Sequence, residues 1–107
     1  MAELVSPSRL AERLVRLFPA FAAELGGEEI HTYHQVIRCL APVVGGYLRA
    51  SPERTVKQFC ELVNAMAAAG GETENAISTC LLEHASQVEV RKIISPHLGA
   101  VAKRELR

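Results

Sequence analysis

Glu74-Asn75-Ala76-Ile77-Ser78-Thr79-Cys80-Leu81-Leu82-Glu83-His84-Ala85 is the stretch on which the reading of the fold turns. Ile77, Cys80, Leu81 and Ala85 fall on one face at helical spacing, with polar residues between them, which predicts an amphipathic helix from Glu74 to about Ser86 with Thr73 as its N-cap. No part of the chain alternates at period two for long enough to form a strand, so the sequence predicts an all-α fold.

Working outward, Gly70-Gly71 ends a preceding helix predicted from Pro52 to about Ala69. Val56, Phe59, Cys60, Val63 and Met66 form its apolar stripe, and Glu53, Arg54, Lys57, Glu61 and Asn64 are assigned to its outer face. Before it, a helix is predicted from Glu28 to Leu48, apolar over most of its circumference (Ile30, Tyr33, Val36, Ile37, Leu40, Val43, Val44, Leu48). Such a helix belongs in the middle of a bundle. Pro42 is expected to kink it, and Gly45-Gly46 to bend it or admit a close neighbour. Further back lie a helix from Pro7 to Phe18, with Glu12 and Arg16 as an i,i+4 pair, and a short one from Pro19 to Leu25. A segment from Val88 to Ile94 and a last helix from Pro96 complete the chain. Ser6-Pro7, Ser51-Pro52 and Ser95-Pro96 all read as helix starts, Ser as the cap and Pro at the first helical position. The expected architecture is one domain over residues 1–107, a compact bundle of five to seven helices around a central apolar helix. Short connectors favour the two helices that follow as its antiparallel neighbours.

Composition agrees. All twelve acidic residues are Glu and nine of the twelve basic residues are Arg, both good helix formers, while Asp is absent. A formal net charge of zero argues against a nucleic-acid partner, which needs a basic excess on one face. Residues 1–5 do not read as a secretory leader and no segment is apolar enough to span a bilayer, so a cytoplasmic protein without a membrane partner is expected. Cys39, Cys60 and Cys80 form no CxxC pair and lie on apolar stripes. They read as reduced structural thiols rather than disulfide partners or zinc ligands.

No pattern compels a chemical activity. His31 and His34 stand three apart with Glu28 nearby, but a zinc site needs further ligands at defined spacing. A Cys–His nucleophile has no supporting motif, and the paired glycines lack the context of a phosphate loop. The expectation is a protein that is not an enzyme and carries no metal or cofactor.

The block from Asn75-Ala76-Ile77 through Leu81-Leu82-Glu83, with Leu98-Gly99 further on, resembles the DUF7674 family of small, all-helical bacterial proteins. The resemblance covers the last half of the chain, and Ala100 stands where Pro is expected after Gly99. It implies an immunity protein that neutralises a cognate toxin by stoichiometric binding and occlusion, as a monomer or weak homodimer. Two other readings stay open: a helical interaction or adaptor module without a toxin partner, and a small metal-dependent enzyme using His31, His34 or a Cys. For the binding reading, tight interfaces use aromatic and Arg anchors with charges that speed association. The candidate partner-binding residues are therefore a helical ridge of Glu28, Glu29, His31, Tyr33, Gln35 and Arg38, and the acidic side of the helix predicted from Glu74 to about Ser86, Glu74 and Glu83. Reversing Glu28, Glu29 and Glu83 to Lys is expected to spare folding and weaken toxin binding.

Overall fold

Ser6 and Pro7 open the first helix as expected. A computed structural model describes residues 6–107; the segment read above as no secretory leader lies outside the described residues. The Ser6 hydroxyl accepts from the Arg9 amide at 3.2 Å, with Pro7 at the first position of α1 (Pro7–Leu17). The helix buries Leu10, Ala11 and Leu14. Glu12 pairs with Arg9 at 3.7 Å rather than with Arg16 as expected, and both partners are exposed, so the pair adds little stability. Next, α2 (Phe21–Leu25) buries Phe21 and stops at Gly26, whose φ of 63° costs glycine nothing.

The central apolar helix starts five residues later than Glu28: α3 runs from Tyr33 to Ala50. Thr32 is the reason. Its backbone is extended and its hydroxyl accepts from the Gln35 amide at 3.0 Å, a strong start signal. Glu28, Glu29, Ile30 and His31 therefore precede the helix, and His31 and His34 do not share a helical face. The helix continues through Pro42, and Val36, Ile37, Leu40, Val44 and Leu48 are buried. Gly45 admits a close neighbour: a Cβ there would sit 3.0 Å from the Val88 carbonyl oxygen.

The helix α4 (Glu53–Ala69) buries every residue of its expected stripe. Ser51 does not cap it. Its hydroxyl turns back and donates to the Tyr47 carbonyl at 2.7 Å, so it closes α3 instead. Asn64, assigned to the outer face, is half-buried because it binds backbone of a later segment.

The helix expected over residues 74–86 is shorter and shifted. In fact α5 runs from Gly71 to Cys80, Thr73 lies inside it, and a 3-10 turn, Leu82–His84, follows. Two physical reasons account for the break. Ser78-Thr79-Cys80 is a run of weak helix formers, and the Thr79 hydroxyl donates back to the Asn75 carbonyl at 2.7 Å. The irregular turn also brings Leu81, Leu82, Ala85 and Val90 all to zero exposure. The chain then turns through Glu89, a non-glycine residue at φ 61°, into α6 (Arg91–Ile94). Ser95-Pro96 does not start the last helix. Residues Ser95–His97 form a 3-10 turn, and α7 (Ala100–Lys103) begins after Gly99.

Among the described residues the elements share one continuous core to which α1 to α7 all contribute. The helix α5, rich in small residues such as Ala76 and Ser78, lies against both α3 and α4. The backbones of α3 and α4, expected to be direct neighbours, approach each other far less closely; α3 packs on α1 and α2, and α4 on α1, α6 and α7. Phe18 ties the end of α1 to both, stacking on Tyr47 at 5.3 Å and meeting Phe59 edge-on at 5.6 Å. Among the described residues no helix is long and apolar enough to cross a membrane.

Candidate functional site

Three chain segments deliver carboxylates to one surface pocket. Glu74 comes from α5, Glu83 from the 3-10 turn after it, and Glu105 from the residues after α7. With Gly71, Asn75 and Ser78 they line an open depression of about 320 Å³. Ser78 is buried, and its hydroxyl donates to Glu83 Oε2 at 3.2 Å. Glu105 Oε2 is itself buried without a hydrogen-bond partner. A carboxylate oxygen buried without a protein donor is costly.

Backbone bonds hold the walls of this pocket together. The Arg107 amide donates to the Leu82 carbonyl at 2.8 Å, and its carbonyl accepts from the Ser86 amide at 2.9 Å. The turn that carries Glu83 is thus stitched to the segment that carries Glu105. Nothing in the linear sequence points to Glu105. In the sequence it sits within Lys103-Arg104-Glu105-Leu106-Arg107, a stretch that reads as a basic tail.

The second candidate group has a different form. Glu28, Glu29, His31 and Arg38 are exposed, while Tyr33 and Gln35 are half-buried. No helical ridge unites them, since the first three precede α3. Gln35 gathers part of the group instead. Its Oε1 accepts from the His31 amide at 2.9 Å, and its Nε2 donates to the Glu29 carbonyl at 3.0 Å. The Glu29 carboxylate lies 3.8 Å from His31 Nε2, with both side chains mostly in solvent. Thr32 and Gln35 thus act much as a capping box does. The pattern Thr32-Tyr33-His34-Gln35 carries that signal in the sequence. Gln35 is engaged in building the loop rather than free for a partner. Between α5 and α3, Cys80 Sγ is 4.0 Å from the His34 carbonyl.

The thiols divide. Cys60 has no exposed surface, its Sγ lies 3.9 Å from the Ile94 carbonyl, and burial pushes its pKa up to about 11. Cys39 and Cys80 are partly exposed. Among the described residues no group of three or more His, Cys, Asp or Glu is arranged to hold a metal ion.

Fold and site together define a small all-helical domain with an acidic pocket assembled from its C-terminal half. The chain belongs to the family described as Domain of unknown function (DUF7674), whose model matches residues 11–107. The match thus takes in most of α1 and all of α2 to α4, beyond the C-terminal half that carried the resemblance. No curated protein and no solved structure matches the chain.

Proposed function

We propose that this protein is an immunity protein of a bacterial cytoplasm, which binds a cognate protein toxin in a one-to-one complex and occludes its working surface. The observation that carries this reading is the convergence of Glu74, Glu83 and Glu105 on one outward-facing pocket. Toxins that act on nucleotides or nucleic acids present basic clefts, and a cluster of carboxylates complements such a surface. Occlusion requires a shaped, rigid surface and no catalytic group, and a helical core with its large apolar residues buried supplies the rigidity.

Co-expression tests this. A toxin domain encoded beside this chain is produced with and without it, and growth and complex formation are measured. Two variants then locate the surface. Glu74→Gln with Glu83→Gln and Glu105→Gln removes the pocket charge at constant shape, and Glu28→Lys with Glu29→Lys alters only the loop before α3. The first variant is expected to lose protection and the second to keep most of it. The expectation drawn from sequence, that Glu28, Glu29 and Glu83 act as one set, is thereby separated into its parts.

A helical interaction module without a toxin partner has one feature in its favour. Ala11, Val15, Leu25 and Ile30 floor a shallow groove of about 640 Å³ along α1, rimmed by Arg9, Glu12 and Arg16. If Val15→Glu abolishes binding to a partner while the pocket variant does not, that module is the better description.

A further inference from the structure

Asn64 has both ends of its amide engaged. From α4, its Nδ2 donates to the His97 carbonyl at 3.2 Å and its Oδ1 accepts from the Gly99 amide at 2.8 Å. Leu98, between the two bonded residues, is buried, and Ala102 of α7 packs into the same core. Ten residues after His97 the chain is fastened again, through the two backbone bonds of Arg107 to Leu82 and Ser86. The arm over residues 97–107 is therefore pinned at both ends. Between the pins lies Glu105, which the arm delivers to a pocket already lined by Glu74 and Glu83.

Glu105 lines the pocket together with Glu74 and Glu83, and one of its oxygens is buried without a hydrogen-bond partner among the described residues. Its place in the pocket must be held by attachments elsewhere on the arm. Asn64 is the side chain that supplies polar attachments at the near end, and α4 gives it a fixed base.

We infer that Asn64 is a positioning residue, whose two hydrogen bonds keep the 97–107 arm closed and so set Glu105 beside Glu74 and Glu83 in the acidic pocket. This rests on the reading of that pocket as the binding face, but its test needs no partner. A failed toxin-binding experiment and a failed arm experiment are thus separate results. Asn64→Leu keeps the branching at Cγ and a good helix former while removing both bonds. Amide hydrogen exchange and carboxyl 13C NMR are recorded on the full chain. In the variant, protection at the Gly99 and Arg107 amides is expected to fall by about tenfold or more, while α3 and α5 keep theirs. The Glu105 carboxyl signal should move to the position of a solvated glutamate, and the Glu74 and Glu83 signals should shift with it. A residue that merely filled space would leave those carboxyl signals in place. Should Asn64→Leu not fold, Asn64→Asp serves, because it keeps an acceptor for the Gly99 amide and loses the donor to His97. It should move the same three signals by less. Unchanged Glu105, Glu74 and Glu83 signals in a folded variant, or protection lost throughout α3 and α5, would overturn the inference.

Discussion

Ser78 donates a 3.2 Å hydrogen bond to the Glu83 carboxylate across the point where α5 ends. The bond ties the last turn of the helix to the 3-10 turn that follows, and it orients one of the three carboxylates that share the pocket. The break in the helix and the formation of the acidic face are thus one structural event. Had residues 74–86 formed a single helix, Ser78 and Glu83 would lie five positions apart, beyond the spacing at which helical neighbours face each other.

Gly45 and Gly46 make a paired test of the packing. Gly45→Ala places a methyl 3.0 Å from the Val88 carbonyl and 3.3 Å from Val90, where backbone must move. It is expected to destabilise the protein by about 1–3 kcal/mol. A Cβ at Gly46 meets nothing within 4 Å, so Gly46→Ala should stabilise by roughly 0.5–1 kcal/mol through helix propensity alone. Urea unfolding of the two variants reads both signs.

The Thr32 cap explains the late start of α3, and it too can be measured. Thr32→Ala removes the bond to the Gln35 amide and is expected to cost about 0.5–2 kcal/mol. Gln35→Ala should cost less but release residues 29–31, seen as faster exchange of the His31 amide, whose acceptor is Gln35 Oε1. An unchanged His31 exchange rate in Gln35→Ala would show that the loop is held by other means.

Much of this architecture is readable from residue patterns, because apolar spacing survives in the finished structure. The stripe Val56, Phe59, Cys60, Val63, Met66 is buried without exception, and Ser6-Pro7 caps α1 as its chemistry requires. The failures share a cause: a local signal was outweighed by a distant partner. Ser51 turns back to Tyr47, and Asn64 is claimed by backbone more than thirty residues away. Val88-Glu89-Val90 contains no glycine to announce the left-handed turn at Glu89. The pocket is only partly readable in the sequence: Glu74 and Glu83 stand close in the chain and line it together, whereas Glu105 reaches it through the fastening of the C-terminal arm, which leaves no mark in linear spacing.

Cys60 should be the slow thiol. Its pKa is raised by burial from 9.0 to about 11, so at pH 8 almost none is thiolate, and its sulfur is also inaccessible. A thiol reagent should label Cys39 and Cys80 at intermediate rates and Cys60 only at the rate of unfolding. The raised value has a consequence for stability. Above pH 9 the unfolded chain loses the Cys60 proton while the folded protein keeps it, so this contribution is intact below about pH 9 and declines as pH rises toward 11. Replacing Cys60 with Ala should lower stability at neutral pH and flatten that decline. Rapid native labelling of Cys60 would contradict its place in the core.

The central proposal is that the pocket of Glu74, Glu83 and Glu105 binds a basic surface of a protein toxin, and titration calorimetry with a toxin domain from a neighbouring gene, where one is found, tests it most directly. The native protein should form a one-to-one complex whose affinity weakens with salt. The variant with all three residues changed to Gln should fold normally and bind weaker by a factor on the order of 100 or more, given the coupling found for close charge pairs. Equal affinity of the folded variant, or no complex with the native protein, would contradict it.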